Sequence, residues 1–211
     1  MLKSVIFDFD GTLVNSYNLM NRVYYEIIKQ YDIDDFTRAD IETLRTLSAH
    51  QIFKKYHLSN EQSSMIIKKA IRSYHEFIKE VPFYPNVFEL LVWLEKLNID
   101  IYVLSSNDTQ IIKDYIDQHD CFMFKAIYGN SGLFKKHRSL EKLIKKHGYQ
   151  KHEVLYIGDE TRDIEACKRV NVAIAAVTWG FDHKELLKSY HPDYLVDRVD
   201  ELKDLLLKKL A

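Results

Sequence analysis

Cysteine is scarce: Cys121 and Cys167 stand far apart in 211 residues and belong to no C-x-x-C pair. That argues against a zinc site and against thioredoxin-like redox chemistry. Both thiols are expected to be buried, reduced and inert. Histidine is more common, but the nine imidazoles show neither H-x-x-x-H nor H-x-H spacing, so no histidine metal centre is expected. An excess of either charge is missing as well. With 30 basic and 31 acidic side chains the net charge is -1, which removes the global basic field that draws proteins to nucleic acid. No apolar run approaches the roughly 20 residues that cross a bilayer, so no membrane insertion is expected. The N-terminus enters strand-like sequence at once, without the long apolar segment of a signal peptide, which points to the cytoplasm. Internal repeats and low-complexity segments are absent.

What remains is an ordinary globular composition, 46% hydrophobic and 29% charged. The length suits one sizeable core with or without a smaller second module. Strand-like runs at residues 3–9, 100–104, 153–157 and 172–177 alternate with helical patterns from Asn86 onward. Leu90, Leu91, Leu94 and Leu97 form one helical stripe, and Ile111, Ile112, Tyr115 and Ile116 form another. Weaker strands are expected at 125–128 and 194–196, with a closing helix on Leu202, Leu205, Leu206 and Leu210. Parallel strands joined by right-handed helical crossovers follow: an α/β, doubly wound parallel sheet.

Residues 16–81 interrupt the alternation. Leu19, Val23, Ile27 and Tyr31 make one apolar helical face, and Ile67, Ile71, Tyr74 and Ile78 make a second. Ser48 with Gln51, and Ser59 with Gln62, match the capping box that satisfies free amides at a helix start. Pro82 and Pro85 mark the return to the sheet. The expected organisation is a core of 1–15 and 82–211 with an inserted all-helical module at 16–81.

Chemistry collects where strands end, because ligands in open α/β sheets bind beyond the carboxyl edge. The first strand delivers Asp8-Phe9-Asp10-Gly11-Thr12. In an extended strand residues two apart share a side, so Asp8 and Asp10 are expected to crowd two negative charges together. A hard divalent cation, most often Mg²⁺, is the simplest compensation. The second strand runs into Ser105-Ser106-Asn107, and the fourth into Gly158-Asp159-Glu160-Thr161-Arg162-Asp163. Lys135 and Lys136 follow the short third strand. A nucleophile, a second carboxylate, hydroxyl and amide donors, an ammonium and further acids make a phosphoryl-transfer inventory.

The set Asp8-Phe9-Asp10-Gly11-Thr12-Leu13, Ser105 after Ile101-Tyr102-Val103-Leu104, Lys136, and Gly158-Asp159 with Asp163 resembles the haloacid dehalogenase-like superfamily of hydrolases. The resemblance covers nearly the whole chain. It implies a Rossmann-like core, and the 16–81 insertion is similar to the helical cap of the phosphoglycolate phosphatase-like branch. It further implies that Asp8 is the nucleophile forming an aspartyl-phosphate, and that Asp10 is general acid and then base. Ser105 would bind a phosphate oxygen, with Ser106, Asn107 and Gly11 adding to the phosphate site and Lys136 neutralising charge. Mg²⁺ would be held by Asp8, the Asp10 backbone carbonyl and Asp159, with Asp163 supporting through water or by orienting the lysine. Glu160 would stand nearby.

This chain has Lys135 where related sequences tend to show glycine, which leaves Lys135 and Lys136 as rival choices; Lys136 fits better. Asn86 replaces a frequent glycine, and asparagine also tolerates unusual turn geometry. Asn15 replaces a frequent aspartate. Arg22, Arg38, Arg45, His50, Lys54 and Lys55 could face an anionic substrate, although solvated helix faces are the default for such charges. The expected activity is a Mg²⁺-dependent phosphatase for a small phosphorylated metabolite, as a monomer or a dimer. A phosphomutase, a pyrophosphatase, a dehalogenase of the same fold, and a non-catalytic phosphate-sensing regulator are the alternatives.

Overall fold

The computed structural model describes residues 1–19, 21, 59, 61, 65, 74–75, 77–131 and 135–210. Six parallel strands carry the fold: β1 (Ser4–Phe7), β2 (Asp100–Leu104), β3 (Phe124–Tyr128), β4 (Val154–Gly158), β5 (Ala173–Val177) and β6 (Tyr194–Val196). They lie in the order β3-β2-β1-β4-β5-β6. The helices between them are α1 (Val87–Lys96), α2 (Thr109–Gln118), α3 (Lys136–His147), α4 (Thr161–Val170) and α5 (Lys184–Ser189), and α6 (Val199–Leu210) closes the chain. The doubly wound α/β reading holds, including both weaker strands and the closing helix.

Alternation along the strands builds two cores. Val5 and Phe7 of β1 face one side with Leu91, Leu94, Ile101 and Val103. Ile6 faces the other with Leu104, Leu140, Leu143, Ile164 and Cys167. A strand covered on both faces reads as a continuous apolar run, which is why these segments stood out in the sequence. Cys121 and Cys167 fall on opposite sides of the sheet, both buried and free.

Asn86 precedes α1 in the left-handed region, with φ 66°. Asparagine supplies there what glycine otherwise would.

The sequence reading of β1 needs one correction. The strand stops at Phe7, and Asp8 Oδ1 takes the amide of Phe9 at 2.7 Å as the chain turns. Asp8 and Asp10 therefore do not project side by side from an extended strand. Their carboxylates meet different partners, described below.

The chain segments that flank residues 16–81 are stitched together. Asn15 donates its amide to the Pro82 carbonyl at 2.9 Å, Tyr84 donates to the Leu13 carbonyl at 2.9 Å, and Val14 bridges Phe83 in antiparallel sense. Within the insertion the described residues 17–19, 21, 61, 65, 74, 75 and 77 are helical. A short 3-10 helix, Ile78–Glu80, leads back to the core. Most of the two apolar stripes lies outside the described residues. So do the Ser48–Gln51 box, Gln62 of the second box, and Arg22, Arg38, Arg45, His50, Lys54 and Lys55.

Candidate active site

β1 sits between β2 and β4, with Phe7 level with Val103 on one side and Ile157 on the other. Their carboxyl ends therefore open onto one place. Asp8 leaves β1 with its amide held by the Ile157 carbonyl at 2.8 Å, and its side chain is buried. Lys136, the first residue of α3, reaches the same spot. Its ammonium lies 2.6 Å from Asp8 Oδ2 and 2.5 Å from Asp163 Oδ1.

Of the two adjacent lysines, Lys136 is buried and Lys135 is exposed. Lys136 shares its helix face with Leu140, Leu143 and Ile144, all buried. An ammonium at a helix N-terminus opposes the helix dipole, and burial alone would depress its pKa. Asp163 and Asp8 more than offset both effects and hold Lys136 above its ordinary value.

Asp163 lies in the first turn of α4. One carboxylate oxygen orients Lys136, and the other accepts the Glu160 amide at 3.3 Å in a capping box. A side chain at position 158 could not coexist with it, since a Cβ there would stand 2.5 Å from Asp163 Oδ2.

Asp159 follows β4 and is fully buried. Thr12 donates its hydroxyl to Oδ1 at 2.6 Å, and the Phe181 amide donates to Oδ2 at 2.8 Å. The chain passes this carboxylate closely at Gly11, where φ is +71° and a Cβ would lie 2.1 Å from Asp159 Oδ2. The Gly11 amide is spent on the turn, donating to the Val14 carbonyl at 3.1 Å and to Ser16 Oγ at 3.3 Å.

Asp10 has hydrogen-bond partners of its own. Asn107 Nδ2 donates to its Oδ2 at 2.9 Å, and Tyr74 donates its hydroxyl to Oδ1. Ser105 is buried after β2, with its Oγ accepting the Asn107 amide at 3.1 Å. That hydroxyl keeps its own proton to donate. Ser106 Oγ accepts from Arg162 Nη1 at 3.2 Å, and Arg162 is paired with Glu160.

Sequence reasoning did not single out Tyr74, Arg162 or the Phe181 amide. Tyr74 read as one more apolar position in a stripe, and Phe181 acts through a backbone group that no side-chain pattern announces. Arg162 had a usable signal in its place between Glu160 and Asp163.

Five carboxylates, those of Asp8, Asp10, Asp159, Glu160 and Asp163, thus gather around two cations, Lys136 and Arg162, among the described residues. Burial pushes Asp10 up to about 6, with Asp8 adding to it, and pushes Asp163 up to about 6 against the pull of Lys136. Asp182, buried near Glu160, is pushed up to about 7, and Asp159 is raised well above its ordinary value, both mainly by burial. A carboxyl with a higher pKa folded than unfolded keeps its proton more readily in the fold. The native state therefore loses stability as pH climbs from about 4 to about 7. His147, depressed chiefly by burial, runs the other way, and so do the lowered carboxyls of Asp100, Asp108, Glu153, Asp197 and Asp200, whose contribution is nearly complete by about pH 5. Thermal unfolding in EDTA is expected to give a Tm lower at pH 8 than at pH 5 by at least about 3 °C. A flat or rising profile would contradict this electrostatic picture.

The sequence profile of the haloacid dehalogenase-like hydrolases matches residues 5–177. Phosphoglycolate phosphatase of Synechococcus elongatus is 30% identical over 202 residues, 95% of each chain. Pyrophosphatase PpaX of Oceanobacillus iheyensis is 24% identical over 205 residues, again 95% of each. Among solved structures, a haloacid dehalogenase-like family hydrolase from Streptococcus pneumoniae superposes with a TM-score of 0.82 at 23% identity, covering 97% of this chain and 98% of that one. A predicted phosphatase from Clostridium acetobutylicum gives 0.84 at 23% identity, covering 99% and 100%. No helix among the described residues is long and apolar enough to cross a membrane. With motifs, sheet order and relatives in agreement, the chain belongs to the haloacid dehalogenase-like hydrolases and is a phosphatase of their phosphoglycolate phosphatase-like branch.

Proposed function

We propose that the protein is a Mg²⁺-dependent phosphatase that hydrolyses a small phosphorylated metabolite through an aspartyl-phosphate on Asp8. The observation that carries this reading is the division of labour between the two carboxylates. Asp8 is buried and locked on Lys136, whereas Asp10 is held by separate, neutral donors.

In the first step an Asp8 oxygen bonds to phosphorus as the bond to the ester oxygen breaks, and the Asp10 carboxyl gives its proton to that leaving oxygen. In the second, water bonds to phosphorus, Asp10 takes the water's proton, and the Asp8–phosphorus bond breaks. Alcohol and inorganic phosphate leave, and both aspartates return to their starting state. Splitting one difficult displacement into two is what a covalent nucleophile achieves. Burial raises the Asp10 carboxyl, which favours a proton donor over a permanently ionised carboxylate. Ser105 supplies a hydroxyl to a phosphate oxygen. Lys136 offsets the charge where nucleophile and phosphate meet.

The residues present fit a hard divalent cation, since five acids face two cations and oxygens of Asp8, Glu160 and Asp163 lie within 4.8 Å of one another. Mg²⁺ would be held by Asp8, the Asp10 carbonyl and Asp159, with Glu160 and Asp163 beside them. Bound there, it supplies electrostatic stabilisation of phosphate charge. We assign residues 16–81 to a cap that selects substrate and excludes water. The expected setting is the cytoplasm.

The test is phosphate release across glycolate phosphate, sugar phosphates, nucleotides and pyrophosphate, with Mg²⁺ and with EDTA. At least one phosphomonoester is expected to turn over, and chelation to remove at least about 100-fold of the rate. Failure across the whole panel with Mg²⁺ would defeat the proposal. The PpaX relative supports a second reading, which preferential turnover of pyrophosphate would select.

A further inference from the structure

Tyr74 is nearly fully buried although its ring ends in a hydroxyl. The ring belongs to the apolar cluster that contains Leu13, Leu19 and Ile78, where the insertion leaves and rejoins the core. Its hydroxyl donates to Asp10 Oδ1, while Asn107 donates to Oδ2 at 2.9 Å from the loop after β2. The Ser16 hydroxyl also reaches this pair. The final torsion of an aspartate side chain is soft. Two donors gripping the two oxygens from different segments leave it one orientation.

We infer that Tyr74 is a positioning residue for Asp10, supplying from the insertion the hydroxyl that, together with Asn107, aims the acid/base carboxylate at the leaving oxygen. The inference rests on the role proposed above for Asp10. Proton transfer needs the carboxyl within hydrogen-bond reach of the reacting oxygen. An orientation set beforehand by packed neighbours need not be found again at each turnover. The competing explanation is that the hydroxyl only satisfies a buried tyrosine tip. The two differ in consequence, because a packing role has no reason to depend on which alcohol leaves.

The experiment compares kcat/KM for an alkyl phosphomonoester, whose leaving oxygen must be protonated, with p-nitrophenyl phosphate, whose leaving phenolate needs no proton. Because kcat/KM reports formation of the aspartyl-phosphate and not its hydrolysis, it isolates the acid step. Tyr74→Phe is expected to lower the alkyl value by at least about 10-fold and the aryl value by less than about threefold, part of the typical contribution of a general acid. In an Asp10→Asn background the same replacement should add no further selectivity.

Equal loss on both substrates, or no loss, would overturn the inference. Replacement of Tyr74 by 3,5-difluorotyrosine keeps ring and hydroxyl while making the hydroxyl more acidic, so it reads the same question where Phe does not fold. A change of at least about threefold confined to the alkyl ester supports positioning, and no selective change overturns it. Asp10→Asn in the otherwise native protein separates the two claims. If it costs alkyl and aryl esters equally, the acid role of Asp10 falls and takes this inference with it. If it is alkyl-selective and Tyr74→Phe is not, only this inference falls.

Discussion

Asp8→Asn is expected to lower kcat by at least about 10⁴-fold, the scale seen when an enzyme loses its covalent nucleophile. The amide has nearly the size of the carboxylate, and the contact with Phe9 N can still be made by the amide oxygen. Lys136 keeps its partner Asp163 at 2.5 Å. The replacement also removes a negative charge that raises the pKa of Asp10, Asp159 and Asp163. The metal-free variant should therefore unfold at the same temperature as the parent or higher, while phosphate release vanishes. A dead enzyme with intact or improved stability separates loss of chemistry from loss of fold. Retention of more than about a tenth of the parent rate would rule out Asp8 as nucleophile.

The second large effect belongs to Lys136. Lys136→Met keeps much of the side chain's length but removes the charge that two buried carboxylates share. Breaking a buried ion pair from one side costs about 3–5 kcal/mol, because the remaining charge is left without compensation. Here Asp8 and Asp163 are both abandoned, and Tyr156, whose ring lies 5.7 Å from the ammonium, offers no positive charge in exchange. The expected result is a Tm lower by roughly 6–20 °C, with activity below about a thousandth of the parent level. Mg²⁺ should recover part of the stability and little of the turnover. Lys135→Ala, at an exposed position one residue earlier, should change neither by much: about 0.5 kcal/mol or less. Similar effects at the two lysines would refute the arrangement.

The same two lysines show how much of this site could be read from the chain. The strand-end positions of Asp8, Ser105 and Asp159 were legible because a strand buried on both faces writes itself as an apolar run, and the first polar residues after it mark the edge. Lys136 carried a signal that adjacency to Lys135 obscured, its spacing of four, seven and eight from Leu140, Leu143 and Ile144. The side-by-side picture of Asp8 and Asp10 was wrong in detail because period-2 geometry was carried three residues beyond the end of β1, to Asp10. Tyr74 could not be read at all. Its contact with Asp10 spans 64 residues of sequence, and nothing local distinguishes a stripe tyrosine whose tip meets a carboxylate from one whose tip does not. Arg162 and the Phe181 amide likewise depend on loops that meet only after the sheet has formed.

The stitch at Asn15–Pro82 and Val14–Phe83 settles a matter of chain statistics. Once the two ends of a segment are tied at its base, each doubling of the length between them adds only about 0.6 kcal/mol of closure entropy. The base of the insertion therefore works like a drawn purse-string. The segment above it can lengthen or shorten at little closure expense to the sheet, while among the described residues Ser16 and Tyr74, near its two ends, hold Gly11 and Asp10 at the strand edge below.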